Sequence, residues 1–295
     1  MKNKLYLLLP VIAGTCWGTQ GVFVRILANA GFDNLTIIIS RISVSILIVF
    51  TIILLTDRSK FHVKPHDLPV LFSIGIMGVL FLAFAYNEAV IRTSLSLAAV
   101  LLCLAPVFVL LLSAMIFGEK ITRLKVFCML TAVFGCILLS GLLDDGGNLR
   151  WDTIGFFFGL GSAVANAGYT LTSKLATKKN YSVITIYFYS FILVFAVLAP
   201  FADWKMIVGF LIASPMKGSA LYLSHSLWTS LLPALVYTLA VKNAEAGKVA
   251  IISSGTEPIS SMLAGIILYY EIPSLLGIAG MILAIVSLIV LIRSK

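Results

Sequence analysis

Long apolar runs separated by short polar joints fill almost the whole chain. They lie at about 5–26, 35–55, 68–91, 95–117, 126–143, 153–173, 182–201, 219–241, 249–270 and 273–292. Crossing a hydrocarbon core roughly 30 Å thick takes about 20 helical residues, and each run is near that length. The apolar positions are continuous rather than alternating, so the pattern predicts helices. In lipid only helices or closed barrels satisfy their own backbone hydrogen bonds, which fits the same reading. The segment 203–217 carries Trp204, Lys205, Pro215 and Lys217 and is expected to lie at an interface. The expectation is an all-α integral membrane protein with ten transmembrane helices.

Polar residues inside these runs are the candidate chemistry. Glu257 stands directly before Pro258 in the stretch SSGTEPISS, about 12 Å into its helix at 1.5 Å per residue. A charge at mid-membrane depth costs about 2.5–3.5 kcal/mol on insertion scales. The carboxylate is therefore expected to meet a cation, a proton or an amine. The alternative is a protonated acid bonded to backbone freed by the proline. Ser253 and Ser260 share its helical stripe, with Ser261 beside it. Pro258 cannot bond the Ser254 carbonyl, nor Pro106 that of Leu102, nor Pro233 that of Thr229, so three kinks are expected.

A second stripe runs through Ser162, Asn166, Tyr169 and Ser173, flanked by Gly155, Gly159, Ala163 and Ala167, which permit close helix approach. Asn166 suits either orientation of a substrate or an interhelical hydrogen bond. Trp17 and Gln20 sit among Gly14, Gly18 and Gly21; Trp17 reads as packing or as a cavity wall. Tyr86 and Tyr237 suit a cavity lining with cation–π capacity. Arg41 and Glu88 suit a buried structural pair or an outer gate, with Glu88–Arg92 at i,i+4 as the other structural pairing.

Composition agrees with the pattern. Of 295 residues, 60% are hydrophobic and 11% charged, with mean hydropathy +1.09, which a soluble protein cannot hide. The net charge of +9 is topological rather than a nucleic-acid footprint. With the N-terminus in the cytoplasm, fifteen of the 21 Lys and Arg fall on the cytoplasmic side. The outer side holds Arg25, Arg92, Arg150, Lys205 and Lys217, and Arg41 lies within a span. That bias predicts a multi-pass protein of the cytoplasmic membrane with both termini inside. Cys16, Cys103, Cys128 and Cys136 sit in apolar runs and read as packing residues. The basic, apolar N-terminus continues to about Leu27 and reads as an uncleaved first helix. His62 and His66 flank Pro65 in a polar joint without further ligands, so no metal is expected, nor any cofactor. There is no phosphate-binding glycine loop for ATP-driven transport.

The chain also repeats. Pro106 precedes Glu119 as Pro258 precedes Glu271. Tyr86 and Ala89 match Tyr237 and Ala240; Gly14, Gly18 and Arg25 match Ala163, Ala167 and Lys174. Residues 1–147 and 148–295 thus read as two copies of a five-helix unit forming one transmembrane domain, the second inverted because five is odd. Inverted repeats meeting at a midplane site mark secondary transporters.

The Cys16-Trp17-Gly18 segment, Arg41, Tyr86…Ala89, Pro106…Gly118-Glu119 and Pro258…Glu271 resemble the EamA-type branch of the drug/metabolite transporter superfamily. The resemblance covers nearly the whole chain. It implies ten helices around a central cavity lined mainly by the first, third, fourth, sixth, eighth and ninth. It also implies movement of small metabolites, often amino acids or related compounds. Asn166, where an aromatic belongs, and Glu257 before the proline depart from the family pattern.

The expected function is secondary active transport of a small polar or cationic metabolite, of amino acid or amine type, by alternating access. Protons are a candidate coupling partner and a monomer the expected unit. The alternatives are a facilitative uniporter, a quaternary-ammonium or choline-type carrier and a passive channel. A membrane-embedded enzyme would need a nucleophile–base set or metal cluster near one interface, and the polar groups instead lie near mid-membrane.

Overall fold

The computed structural model describes residues 6–92, 98, 101–139, 143, 152–270 and 274–293, side chains at 25, 34, 87, 90, 91 and 269 excepted. Glu271, Arg150 and the start of the 95–117 run lie outside the described residues, as does the side chain of Arg25. The structure is helical, with no strand among the described residues. In chain order the helices are α1 (Leu9–Gly18), α2 (Gln20–Asn29), α3 (Asn34–Thr56), α4 (Leu68–Gly75), α5 (Leu82–Arg92), α6 (Ala105–Phe117) and α7 (Arg123–Leu139). Then come α8 (Thr153–Lys178), α9 (Val183–Leu198), α10 (Trp204–Ala213), α11 (Pro215–Ser226), α12 (Leu232–Asn243), α13 (Ala246–Tyr269) and α14 (Leu275–Arg293).

Several apolar runs are not straight helices. The first is broken at Thr19, whose hydroxyl donates to the carbonyl of Thr15 at 2.7 Å and of Cys16 at 3.2 Å. A side chain that competes for helix carbonyls favours such a break, and Gly18 and Gly21 on either side weaken the helix further. The third run passes from α4 to α5 through a π-helical segment, Ile76–Phe81.

Two of the three expected proline kinks take another form. Pro106 lies in the first turn of α6, after a turn at 103–104, where its missing N–H costs nothing. It starts a helix rather than bending one. Pro233 begins α12 directly after the π segment Leu227–Leu231, and that wider turn absorbs the bond the ring cannot make. Pro258 does lie inside its helix, α13. The eighth span also starts earlier than expected, at Pro215, so the interfacial segment is α10 alone.

Seven helical spans among the described residues are long and apolar enough to cross a membrane, the broken runs Leu9–Asn29 and Pro65–Tyr86 each counting as one. The thirteen residues of α6 reach only about 20 Å. The surface is greasy and the interior polar: Leu47, Met115, Phe157 and Ile267 are exposed, whereas Ser162, Thr170, Ser173 and Thr238 are fully buried. Such a distribution suits a lipid-facing bundle: lipid welcomes the apolar side chains, and neighbouring helices take up the Thr170 and Thr238 hydroxyls.

The interior is organised by two central helices. Against α13 and α12 lies α1, while α8 packs on α5 and α6. Around them α9 covers α3 and α4, and α14 covers α7 and α13. One core cluster, holding Ala13, Tyr169, Tyr187, Tyr237 and Val249, joins α1, α8, α9, α12 and α13.

Candidate functional site

Three candidate residues from three helices meet in this core. The Trp17 ring of α1 lies 5.3 Å from the Tyr237 ring of α12 and 6.3 Å from the Tyr169 ring of α8. Tyr169 and Tyr237 stack on each other at 5.6 Å. Their hydroxyls are not orphaned. Tyr237 shares a 2.7 Å hydrogen bond with Thr170, Tyr169 shares one with Tyr187, and Tyr187 shares one of 2.8 Å with Thr238. A buried aromatic group whose polar end is satisfied is held in one orientation.

Glu257 adjoins this cluster. Its carboxylate lies within electrostatic range of the Tyr86 and Tyr237 hydroxyls and of the Cys103 thiol. Ser253, one turn earlier, donates to its Oε1 at 3.3 Å. Among the described residues no Lys or Arg reaches it. Ser260 points elsewhere, with its hydroxyl 3.3 Å from that of Thr15. What brings α1 this close to the proline turn is the absence of side chains at Gly14 and Gly18. A Cβ on Gly14 would stand 2.7 Å from the Ser253 carbonyl, and one on Gly18 would collide with the carbonyl of Glu257.

Asn166 is half-buried on the α8 stripe that also carries Tyr169, and its carbonyl accepts from Thr170 at 3.1 Å. Tyr86, also half-buried, contributes from α5. Arg41 and Glu88 do not pair. Glu88 is bonded to Arg92 at 3.0 Å on its own helix, whereas Arg41 of α3 donates to Gln20 at 3.1 Å and to Thr229 at 3.4 Å. The reason is local: an i,i+4 partner on the same helix needs no packing to meet its mate.

One end of the bundle is tied by charge. Gly118 takes φ +69° and turns the chain after α6. Glu119 then accepts from Lys174 of α8 and from the N–H groups of Ala246 (2.9 Å) and Gly247 (3.3 Å), which open α13. A carboxylate at a helix N-terminus meets unpaired N–H groups and the positive end of the dipole. Burial works to raise the Glu119 carboxyl, but Lys174 and the two N–H donors outweigh it and hold it below the usual carboxylate range. Beside it Lys125 pairs with Glu245 at 2.8 Å, and Asp67 accepts from Lys179 (2.5 Å) and Tyr181 (2.6 Å). Sequence reading missed this network, and missed Thr170, Tyr187 and Thr238, because hydroxyls are common in apolar helices and partners this distant leave no spacing signal.

A helical bundle with an apolar surface, buried hydroxyls and several membrane-length spans is that of a multi-pass membrane protein. Residues 4–141 and 153–293 each match the EamA-like transporter family, and the chain belongs to that family. An uncharacterised transporter of Archaeoglobus fulgidus is 29% identical over 100% of both chains. The pseudopaline exporter CntI of Pseudomonas aeruginosa is 25% identical over 99% of this chain and 97% of its own. A solved crystal structure superposes with TM-score 0.75 at 16% identity over 97% of this chain and 95% of its own, a likeness of fold alone. Family and relatives point to a transporter rather than an enzyme.

Proposed function

We propose that the protein is a secondary carrier that moves a small polar or cationic metabolite, of amino acid or amine type, across the cytoplasmic membrane by alternating access. The observation that carries this reading is Glu257: a half-buried carboxylate at a proline turn, bonded to Ser253 and within electrostatic range of Tyr86 and Tyr237, with no protein cation against it among the described residues. A carboxylate and aromatic faces together suit an ammonium group, one by charge and the others by cation–π attraction.

Two inverted five-helix halves supply the motion in this reading. The two family matches, falling in 4–141 and 153–293, agree with it. The Glu119 ties join the α6–α7 joint in one half to α8 and α13 in the other. In this reading they close one end of the bundle, and the excess of Lys and Arg supports taking that end as cytoplasmic, with both termini on the same side. Arrival of substrate at the open end and rupture of the ties complete the cycle. Since one relative is named as an exporter, outward movement is the direction to test first. The proposed working unit is the monomer, since Trp17, Tyr169, Tyr237 and Glu257 all come from one chain.

Purified protein in liposomes, loaded with labelled amino acids, amines or quaternary ammonium compounds, tests the reading. Saturable flux with counterflow is expected for at least one class. Counterflow without response to any imposed gradient identifies the facilitative uniporter instead, and flux that never saturates rules out a carrier.

A further inference from the structure

We propose that Arg41, with His225 and Ser226, forms a second binding centre that takes a carboxylate. The inference rests on the transport reading and names the chemistry of its substrate. Arg41 spends Nη1 on Gln20 and Thr229, both neutral. Its Nε is buried without a partner, and no carboxylate lies at ion-pair distance among the described residues. The free edge, Nε with Nη2, is the one that grips a planar carboxylate through two parallel bonds.

The surroundings repeat this shortage of acceptors. His225 is fully buried, with both ring nitrogens unpartnered, and the adjoining Ser226 hydroxyl is also buried and unpartnered. Phe23 stacks on the His225 ring at 5.4 Å and holds its plane. Arg41 and these residues share one seam. Thr229, which Arg41 reaches, donates to the His225 carbonyl at 2.8 Å, and Ser45 of α3 donates to the Ser226 carbonyl at 3.4 Å. An unsatisfied arginine, imidazole and hydroxyl in one seam are costly unless a ligand completes them. Arg41, Gln20 and Gly21 all keep some exposure, and no protein atom lies within 4 Å of a Cβ built on Gly21, so protein does not seal the seam there.

The position links this centre to Glu257. Gly18 lies against the main-chain carbonyl of Glu257, and Gln20, two residues on across the Thr19 break, is bonded to Arg41. An acid seeking a cation and a base seeking an anion thus flank the same turn of chain at the Thr19 break. A solute carrying both an ammonium and a carboxylate group satisfies them together.

The test is thermal unfolding of the purified full chain titrated with sodium acetate, sodium chloride or acetamide at matched ionic strength. Acetate is expected to raise the unfolding temperature saturably, with chloride and acetamide without such effect. Arg41→Gln should raise the half-saturating acetate concentration about tenfold or more, the loss of one charge-assisted pair. Arg41→Lys should fall between, and His225→Leu should weaken acetate several-fold. An acetate response matched by chloride overturns the proposal in favour of a general anion effect. So does an Arg41→Gln titration equal to the parent's. If the Arg41 variants do not fold, the three solutes on the parent protein still decide. Counterflow is measured in parallel: flux without an acetate response overturns this centre alone, whereas an acetate response without flux supports the centre and overturns the carrier reading.

Discussion

Gly18 lies against the main-chain carbonyl of Glu257, so close that not even a methyl group fits between them. The contact fixes α1 on the proline turn of α13 and sets Trp17, the preceding residue, against Tyr237 and Tyr169. A branched side chain at position 18 must push the helices apart. Gly18→Val is expected to destabilise the protein by about 1–3 kcal/mol, as overpacking does, and to abolish flux. Gly21→Ala, where nothing lies within 4 Å of a new Cβ, should unfold at or slightly above the parent's temperature, since Ala is the better helix former. Equal unfolding temperatures for Gly18→Val and the parent would remove the packing argument.

Glu257→Gln keeps shape and one hydrogen bond but cannot exchange a proton for a cation. Flux driven by a pH gradient is expected to fall about tenfold or more, the worth of a charge-assisted bond, while substrate exchange persists. Glu257→Asp should be milder. Flux and its pH profile in liposomes decide; a parent-like profile for Glu257→Gln makes the carboxylate a partner of the helix kink.

Tyr237→Ala opens the aromatic stack and frees Thr170 from its 2.7 Å bond. Asn166→Leu replaces a polar group on the same side of the bundle. Both are expected to lower transport several-fold at near-parent membrane insertion. Transport at the parent's level in both would make these side chains packing groups.

Glu119→Gln weakens its pairing with Lys174 and its hold on α13. Breaking a buried pair costs about 3 kcal/mol, so the tied end should open more often, and a cysteine probe near Ala246 should label faster. The carboxyl is held below its ordinary range. Its stabilising contribution is therefore complete above the unfolded-state value of about 4.3 and fades only as pH falls through the lower, folded value. Labelling in the parent should stay flat from pH 8 to 5 and rise in stronger acid; a rise near pH 7 would point to another group.

Topology is checked in a background without the four native cysteines. A cysteine at 57–67 should label only from the cytoplasm and one at 144–150 only from outside. Labelling of both from one side would end the inverted-repeat model.

The proline reading shows where sequence patterns stop. A proline in an apolar run reads as a kink, yet Pro106 opens a helix and Pro233 follows a π turn. Periodicity cannot register such breaks, because the residues on either side of them are equally apolar. Of the two structural pairings open to Glu88, the structure has the local one, with Arg92 one turn away, because an i,i+4 partner needs no tertiary packing to come within reach.

The sequence alone determined that this chain lives in a membrane as helices, because burial of apolar surface and backbone hydrogen bonding are summed over run length and composition. It also picked out Trp17, Tyr169, Tyr237 and Glu257, since a polar or aromatic group in lipid is conspicuous against its background. Tertiary structure alone decided who meets whom. The packing of Trp17 against two tyrosines, the grip of Glu119 on Lys174 and α13, and the reach of Arg41 to Gln20 and Thr229 depend on helix rotation and approach. Those are set by a missing side chain at Gly18 and a turn at Gly118, features whose consequences appear only when distant segments are brought to within a few ångströms.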